Sequence, residues 1–170
     1  EVVQAYTEGL LWVLRYYYQG VQSWGWFYPY HYAPCASDMK QLPALRDRIR
    51  FDLGEPWSPL MQLMAVFPAH SGHALPAPYR ALMSEHTSPV IDFYPIDFRQ
   101  DLNGKKYGWQ AIAVLPFIDH VRLGAALRPL RPTLSEDERR RDSHGAAVVF
   151  ARAKTPLGAE LRSLAESGGQ

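Results

Sequence analysis

Cysteine is nearly missing from this chain. Cys35 is the only one, which rules out an internal disulfide and any cysteine-rich zinc site. A single thiol fits a reducing compartment most simply. Charge imbalance is missing too: the net charge is +1. No global basic field exists to hold a polyanion, so any nucleic-acid contact must be local or borrow charge from elsewhere. No uninterrupted apolar run approaches the length that spans a bilayer. The amino end, Glu1-Val2-Val3-Gln4-Ala5-Tyr6, has no basic stretch leading into an apolar one, so a signal peptide is not expected. Internal repeats are absent, as is any linker long enough to divide the chain. The first residue is not Met and lies inside a helical pattern, which leads us to expect a segment of a longer protein.

What is present suits a globular domain. Hydrophobic residues make up 47% and charged residues 21% of 170 residues, enough to bury a real core and too apolar for disorder. The most distinctive stretch is Ser23-Trp24-Gly25-Trp26-Phe27-Tyr28-Pro29-Tyr30-His31-Tyr32-Ala33-Pro34. Proline fixes φ and removes a backbone donor, so Pro29 and Pro34 break regular hydrogen bonding. The rings must be presented by an irregular segment held against a rigid neighbour. If the segment is extended, Trp24, Trp26, Tyr28 and Tyr30 share one side and Phe27 the other. One set then packs while the other faces a groove.

The neighbour is a helix from Val2 to about Tyr18. Val2, Tyr6, Leu10, Val13 and Tyr17 recur at helical spacing, Leu11, Trp12, Leu14 and Tyr18 widen the apolar surface, and Gly20 is a natural stop. A helix apolar round so much of its circumference is expected to be buried between partners, with Gly9 allowing another helix close. Beyond the aromatic segment, Ser37 and Asp38 read as caps of a short helix running towards Phe51, interrupted at Pro43, with an exposed side at Arg46, Asp47, Arg48 and Arg50. Asp52 to Pro56 reads as a turn. Ser58-Pro59 opens a helix to about Val66. A loop from Pro68 to Pro78 holds His70 and His73, followed by a short helix from about Tyr79 to Met83. Ser88 to Asp97 reads as an extended, buried connection, and Asn103-Gly104 as a turn. Periodicity does not separate helix from strand over Trp109 to Leu115; the helical surroundings favour helix. Asp119 caps a helix in which Val121, Leu123, Ala126 and Leu127 pack. Thr133 or Ser135 starts a helix, Glu136 to Arg141, whose acidic then basic order suits the helix dipole. Ala147 to Ala151 suits a short strand, and an amphipathic helix runs from Pro156 to the closing Gly168-Gly169-Gln170.

A metal-dependent nuclease needs several carboxylates converging on one or two ions. Asp92, Asp97, Asp101 and Asp119 qualify by type, but Asp92 and Asp97 flank Tyr94-Pro95 as turn anchors and Asp119 suits a cap. The structural reading is favoured for each. His31 is chemically able to donate a proton or meet a phosphate, yet a His between two Tyr reads better as a hydrogen-bonded structural residue. His70 and His73 lack a nearby third ligand, so a solvated loop is the simpler reading. Lys105 and Lys106 are candidates for phosphate contact or for a solvated turn. Arg139-Arg140-Arg141 reads as the charged end of a helix.

Several motifs, in order, closely resemble the second conserved region of the XRN family of 5′→3′ exoribonucleases. They are EGLLWVLRYYYQGVQSWGWFYPYHYAPCASD, LMAVFPA, LPAPYRALM, SPVIDFYPIDF, DLNGKKYGWQAIAVLPFID and RLGAAL. The resemblance is close to about Leu127. It weakens between Met39 and Leu53 and becomes scattered beyond Arg131, and Cys35 stands where the family usually has a larger apolar residue. It implies residues 1–131 as the XRN-like helical segment and 132–170 as a charged helix and tail at its edge. The expected fold is mainly α: an irregular helical domain with long proline- and aromatic-rich connections and few or no short strands.

The resemblance also implies an activity. Enzymes of this family degrade 5′-monophosphorylated single-stranded RNA processively with Mg²⁺ or Mn²⁺, and the acidic cluster that binds the metal belongs to the first conserved region. Nothing here matches that region, so no catalytic or metal-binding residue is carried over and this chain alone is expected to be inactive. In the family the second conserved region packs on the amino-terminal nuclease region and helps form the RNA pocket. Trp24 and Trp26 are the matching RNA-binding candidates, followed by Tyr30 and His31; stacking on such rings holds a base without reading it, for roughly 1–3 kcal/mol per base. The wording GKKYGWQAIAVLPFID is closer to the nuclear branch, so the nucleus is favoured over the cytoplasm. The alternative is a non-catalytic helical module that binds a protein partner through its aromatic surface.

Overall fold

The computed structural model describes residues 1–40, 42–46 and 48–167. The chain is mainly α, with one short two-stranded sheet. Helix α1 runs Val2–Gln19 and ends at Gly20, whose φ of 87° is a conformation glycine adopts without strain. Here the expectation of burial fails. No residue of α1 is fully buried, because the described residues cover only one side of the helix. Trp12, Gly9 and Glu8 face the aromatic segment, while Leu10, Val13, Leu14, Tyr17 and Tyr18 are exposed. These five fall at the spacing of a single helical stripe.

The helix expected from Ser37 to Phe51 is broken in two: a 3₁₀ turn at Ala36–Asp38 and helix α2 at Leu42–Arg46. Ser37 and Asp38 lie inside the turn rather than capping α2, and Pro43 sits in the first turn of α2, where its missing N–H costs nothing. Gln41 and Asp47 lie outside the described residues. Between Asp52 and Pro56 the backbone is irregular, with Gly54 at a φ of 59°.

Helix α3, Pro59–Val66, starts where Ser58-Pro59 predicts. Its cap comes from elsewhere. The Ser58 hydroxyl makes no capping bond, and the Leu60 N–H donates instead to the buried Asp142 carboxylate at 2.8 Å. The stretch expected as loop at His70 and His73 is a 3₁₀ helix, Ala69–Ala74, between Pro68 and Pro76. Helix α4 follows at Ala77–Ser84. The buried connection is buried as expected, at Val90, Phe93 and Tyr94, but curls into a 3₁₀ turn at Ile91–Phe93 rather than running extended. Tyr94 donates to the Met64 carbonyl at 2.8 Å, and burial pushes the pKa of its hydroxyl up to about 12.

Strands β1, Arg99–Asp101, and β2, Ile112–Val114, pair antiparallel with Gln100 opposite Ala113. Asn103 and Gly104 make the turn between them with positive φ, at 45° and 75°. The helix favoured for Trp109 to Leu115 is therefore a 3₁₀ turn, Gly108–Gln110, followed by a strand. Helix α5, His120–Leu127, is capped as expected by Asp119, which accepts from Val121 and Arg122 N–H. Leu123, Ala126 and Leu127 are buried, and Val121 points outward. A 3₁₀ helix, Arg128–Thr133, leads to α6, Glu136–Arg141, where Ser135 and Glu138 form a reciprocal capping box. No strand forms at Ala147 to Ala151, which finds no pairing partner among the described residues. Helix α7 spans Pro156–Ser167; its expected end at Gly168 to Gln170 lies outside the described residues.

The core gathers between α3, α4 and α5, with Leu60, Met64, Tyr79, Met83, Val90 and Leu123 at its centre. No described helix is long and apolar enough to cross a membrane.

Candidate nucleic-acid interface

The aromatic segment has no regular secondary structure, so its shape depends on two supports. The first is α1. Trp12 Nε1 donates to the Ser23 carbonyl at 3.0 Å, and Trp26 Nε1 reaches the Glu8 carboxylate at 3.4 Å. Tyr6 meets Tyr28 edge-on, with ring centroids 6.0 Å apart. Gly9 matters because a Cβ there would lie 2.9 Å from Trp26 Cη2. The close approach that Gly9 permits is thus to an indole ring and not to a helix.

The second support is the hairpin. His31 Nε2 lies 2.7 Å from the Leu115 carbonyl, and its ring packs on Phe117 at 4.6 Å. Phe27 also meets Phe117. Tyr32 donates to the Asp101 carboxylate at 2.6 Å, and Asp101 also accepts from Asn103 N–H at 2.9 Å. These bonds hold the Asp101 carboxyl below its usual range and raise the Tyr32 hydroxyl.

The four stacking candidates therefore part company. Trp26 is half-buried, wedged between α1 and the edge of Phe51. Tyr30 tilts against Tyr28, and His31 is tied to the hairpin. Trp24 is different: its backbone N–H is anchored to the Leu53 carbonyl at 2.9 Å while 47% of the residue stays exposed. It is an anchored, outward-facing ring. The simple alternation of sides is not kept, since Trp26 and Tyr28 pack on α1 while Trp24 does not.

Lys105 and Lys106 are exposed at the hairpin turn, with the Lys106 ammonium 5.3 Å from the Tyr107 ring centre. Tyr107 stacks in turn on Trp109, which is 81% exposed. Sequence reasoning misses this stacked pair, although Lys-Lys-Tyr-Gly-Trp interleaves charge and rings in the way stacking platforms do.

The carboxylates do not assemble. Asp92 makes a bidentate pair with Arg122, at 2.5 and 2.9 Å, which lowers the pKa of Asp92 and raises that of Arg122. Asp101 serves Tyr32, Asp119 serves the cap of α5, and Asp97 is exposed in the bend before β1. His70 and His73 share one exposed 3₁₀ turn. Among the described residues, no three His, Cys, Asp or Glu side chains come together to hold a metal.

Replacing Gly9 with Ala should separate support from surface. Alanine favours the helix by about 1 kcal/mol, but the indole must yield to a methyl group, a strain of about 1–3 kcal/mol. The expected result is a net loss of stability with an altered Trp26 environment, measured by urea unfolding and tryptophan fluorescence. A more stable variant with unchanged fluorescence would mean that the ring is not held.

Residues 1–168 match the family described as the Xrn1 helical domain, so the match extends past the stretch in which the motifs are dense. A protein named 5′-3′ exoribonuclease 2 from Arabidopsis thaliana is 52% identical over 164 residues, covering 96% of this chain and 16% of that protein. The proteins of the same name from Gallus gallus and Saccharomyces cerevisiae are each 54% identical, over 92% and 88% of this chain and 16% and 15% of their own lengths. The chain thus spans about one sixth of the length of these relatives.

Proposed function

The chain belongs to the Xrn1 helical domain family, and from that premise we propose that it is the helical middle segment of a 5′→3′ exoribonuclease. The complete enzyme degrades 5′-monophosphorylated single-stranded RNA processively. This segment packs on the amino-terminal nuclease region and closes one side of the RNA path. Residues 1–131 form its body and 132–170 its edge. The observation that carries this reading is the apolar stripe of α1 that the described residues leave uncovered, on the side of the helix turned away from the aromatic segment that α1 supports. Leu10, Val13, Leu14 and Tyr17 are exposed along one continuous stripe, and a contiguous apolar patch of that kind marks an interaction site.

In this reading Trp24 stacks on a base, while Trp26, Tyr30 and His31 shape its surroundings, and Lys105 and Lys106 meet phosphates. In this reading Mg²⁺ or Mn²⁺ belongs to the amino-terminal nuclease region; here Asp92, Asp101 and Asp119 each serve another partner and Asp97 stands apart from them, exposed before β1. The wording GKKYGWQAIAVLPFID, closer to the nuclear branch, is the ground on which we assign the segment to that branch and its place of action to the nucleus. The family resemblance also favours an enzyme segment over a free-standing interaction module.

The test is a nuclease assay on 5′-monophosphorylated single-stranded RNA with Mg²⁺, using this chain alone and with an XRN-type amino-terminal nuclease region added in trans. Activity only in the mixture is expected. Association of the two pieces without activity would favour the interaction module, and activity of this chain alone would place a metal site within it. In the complete enzyme, Trp24→Ala should weaken single-stranded RNA binding about tenfold, as the loss of one stacked base requires, with stability unchanged. Unaltered affinity and processivity would remove Trp24 from the RNA path.

A further inference from the structure

Separate from these rings is a cleft of about 320 Å³, lined by Ser58, Tyr79, His120, Arg128 and Arg131 among others. Its groups come from separate elements: the start of α3, helix α4, the start of α5 and the 3₁₀ helix that follows. The two arginines stand one 3₁₀ turn apart, and side chains at i and i+3 of such a helix eclipse. Both guanidinium groups therefore project to the same side. Neither enters an ion pair among the described residues.

Tyr79 supplies an independent observation. The residue is 1% exposed, yet its hydroxyl has no hydrogen-bond partner among the described residues. No buried side-chain nitrogen or oxygen among them is left unpaired, so this hydroxyl keeps a sliver of accessible surface, and Tyr79 is among the residues that line the cleft. A buried phenol normally finds a partner. Burial and the Asp142 carboxylate raise its pKa while Arg131 lowers it, so it remains a protonated donor at neutral pH. Asp142 itself is occupied by the Leu60 N–H. The Ser58 hydroxyl, released from capping by that same bond, is also without a partner among the described residues.

We propose that this cleft binds a phosphate group. Two unpaired guanidiniums, a phenol, a hydroxyl and an imidazole line it, with no carboxylate among them. They approach from different elements, which suits the several peripheral oxygens of phosphate better than the two of a carboxylate. Trp57 stacks on His120, with centroids 5.9 Å apart at 22°, so an aromatic surface adjoins the cleft and fits a phosphate that belongs to a nucleotide. The phosphate is either free or part of an RNA backbone. The site stands apart from the exoribonuclease reading, since phosphate binding is measured whether or not RNA is degraded.

The test uses the full-length polypeptide that carries this chain, without divalent metal so that no RNA is cleaved. Inorganic phosphate is titrated while the Trp57 indole and His120 imidazole resonances are followed by NMR, and a short oligouridylate without a 5′ phosphate is titrated separately. Arg128→Gln with Arg131→Gln, and Tyr79→Phe as a variant that keeps the core filled, are compared with the protein itself. The double variant is expected to weaken the responsive probe about tenfold or more, and Tyr79→Phe by less. A backbone source predicts weaker oligouridylate binding and a salt slope smaller by about one to two. A free-phosphate source predicts loss of the phosphate response with oligouridylate binding unchanged. If neither probe responds to the double variant, the proposal falls. It falls equally if Arg139→Gln with Arg140→Gln, which removes the same charge from α6, has the same effect.

Discussion

A chain carrying Leu10→Asp and Leu14→Asp is expected to fold normally and to bind an XRN-type nuclease region in trans at least a hundredfold more weakly. The two leucines stand one turn apart on the uncovered stripe of α1, at 52% and 53% exposure, so replacing them costs the isolated chain little. In the proposed assembly both are buried. Each leucine is about half covered already, so burying the rest contributes about half of the roughly 1.5–3 kcal/mol of a full burial, and an aspartate forced into the same apolar contact adds a desolvation penalty of about 1–3 kcal/mol. Together these exceed the roughly 3 kcal/mol that corresponds to a hundredfold change in affinity. Circular dichroism and urea unfolding check the fold; calorimetric titration with the nuclease region checks the binding. Unchanged affinity would mean that the stripe faces something other than that region. An effect of net charge alone is tested by Gln4→Asp with Gln19→Asp, which adds the same charge near the two ends of α1, away from the stripe, and should leave binding intact.

The same helix marks what is and is not legible in the sequence. Its span and its stop at Gly20 follow from apolar periodicity and one glycine, because both are local properties. Its exposure is not legible, because apolar periodicity marks which face is apolar and not what covers it. Ser58-Pro59, the Asp119 cap, the Ser135–Glu138 capping box and the Asn103-Gly104 turn are all readable for the same local reason. Trp109 to Leu115 is not. Its apolar run fits helix or strand alone, and only pairing with Arg99–Asp101 decides between them. The cap of α3 by Asp142 is equally hidden, since it joins residues far apart in the sequence. The candidate site divides along the same line. The aromatic segment announces itself, but which ring turns outward is set by Gly9, Glu8 and the Leu53 carbonyl. Arg128 and Arg131 carry a signal that is usable only with the structure: an Arg-Pro pair repeated after three residues puts both side chains on one side only if the local structure is 3₁₀.

Leu123→Ala is expected to cost about 3–5 kcal/mol, a large share of the roughly 5–15 kcal/mol that holds a domain together. Leu123 is 0% exposed on the inner side of α5, in the cluster that includes Leu60, Met64 and Val90. The cost of such a truncation depends on how far the surroundings can collapse into the space left behind. Here they are pinned. Arg122, the preceding residue, is held by Asp92 and by the Pro89 carbonyl, and Asp119 fixes the start of the helix. At Gly124 the Met61 side chain of α3 already reaches α5, since a Cβ there would stand in ordinary contact with Met61 Cε, at 3.7 Å. With α5 held in place, the cavity persists and the loss falls at the upper end of the range. For a chain of 170 residues this corresponds to a fall in Tm of about 10 °C. Val121→Ala on the same helix is the control, since Val121 is exposed and should change stability by no more than about 0.5 kcal/mol. Equal effects of the two substitutions in urea unfolding would show that α5 does not pack through Leu123, and the core between α3, α4 and α5 would then have to be redrawn.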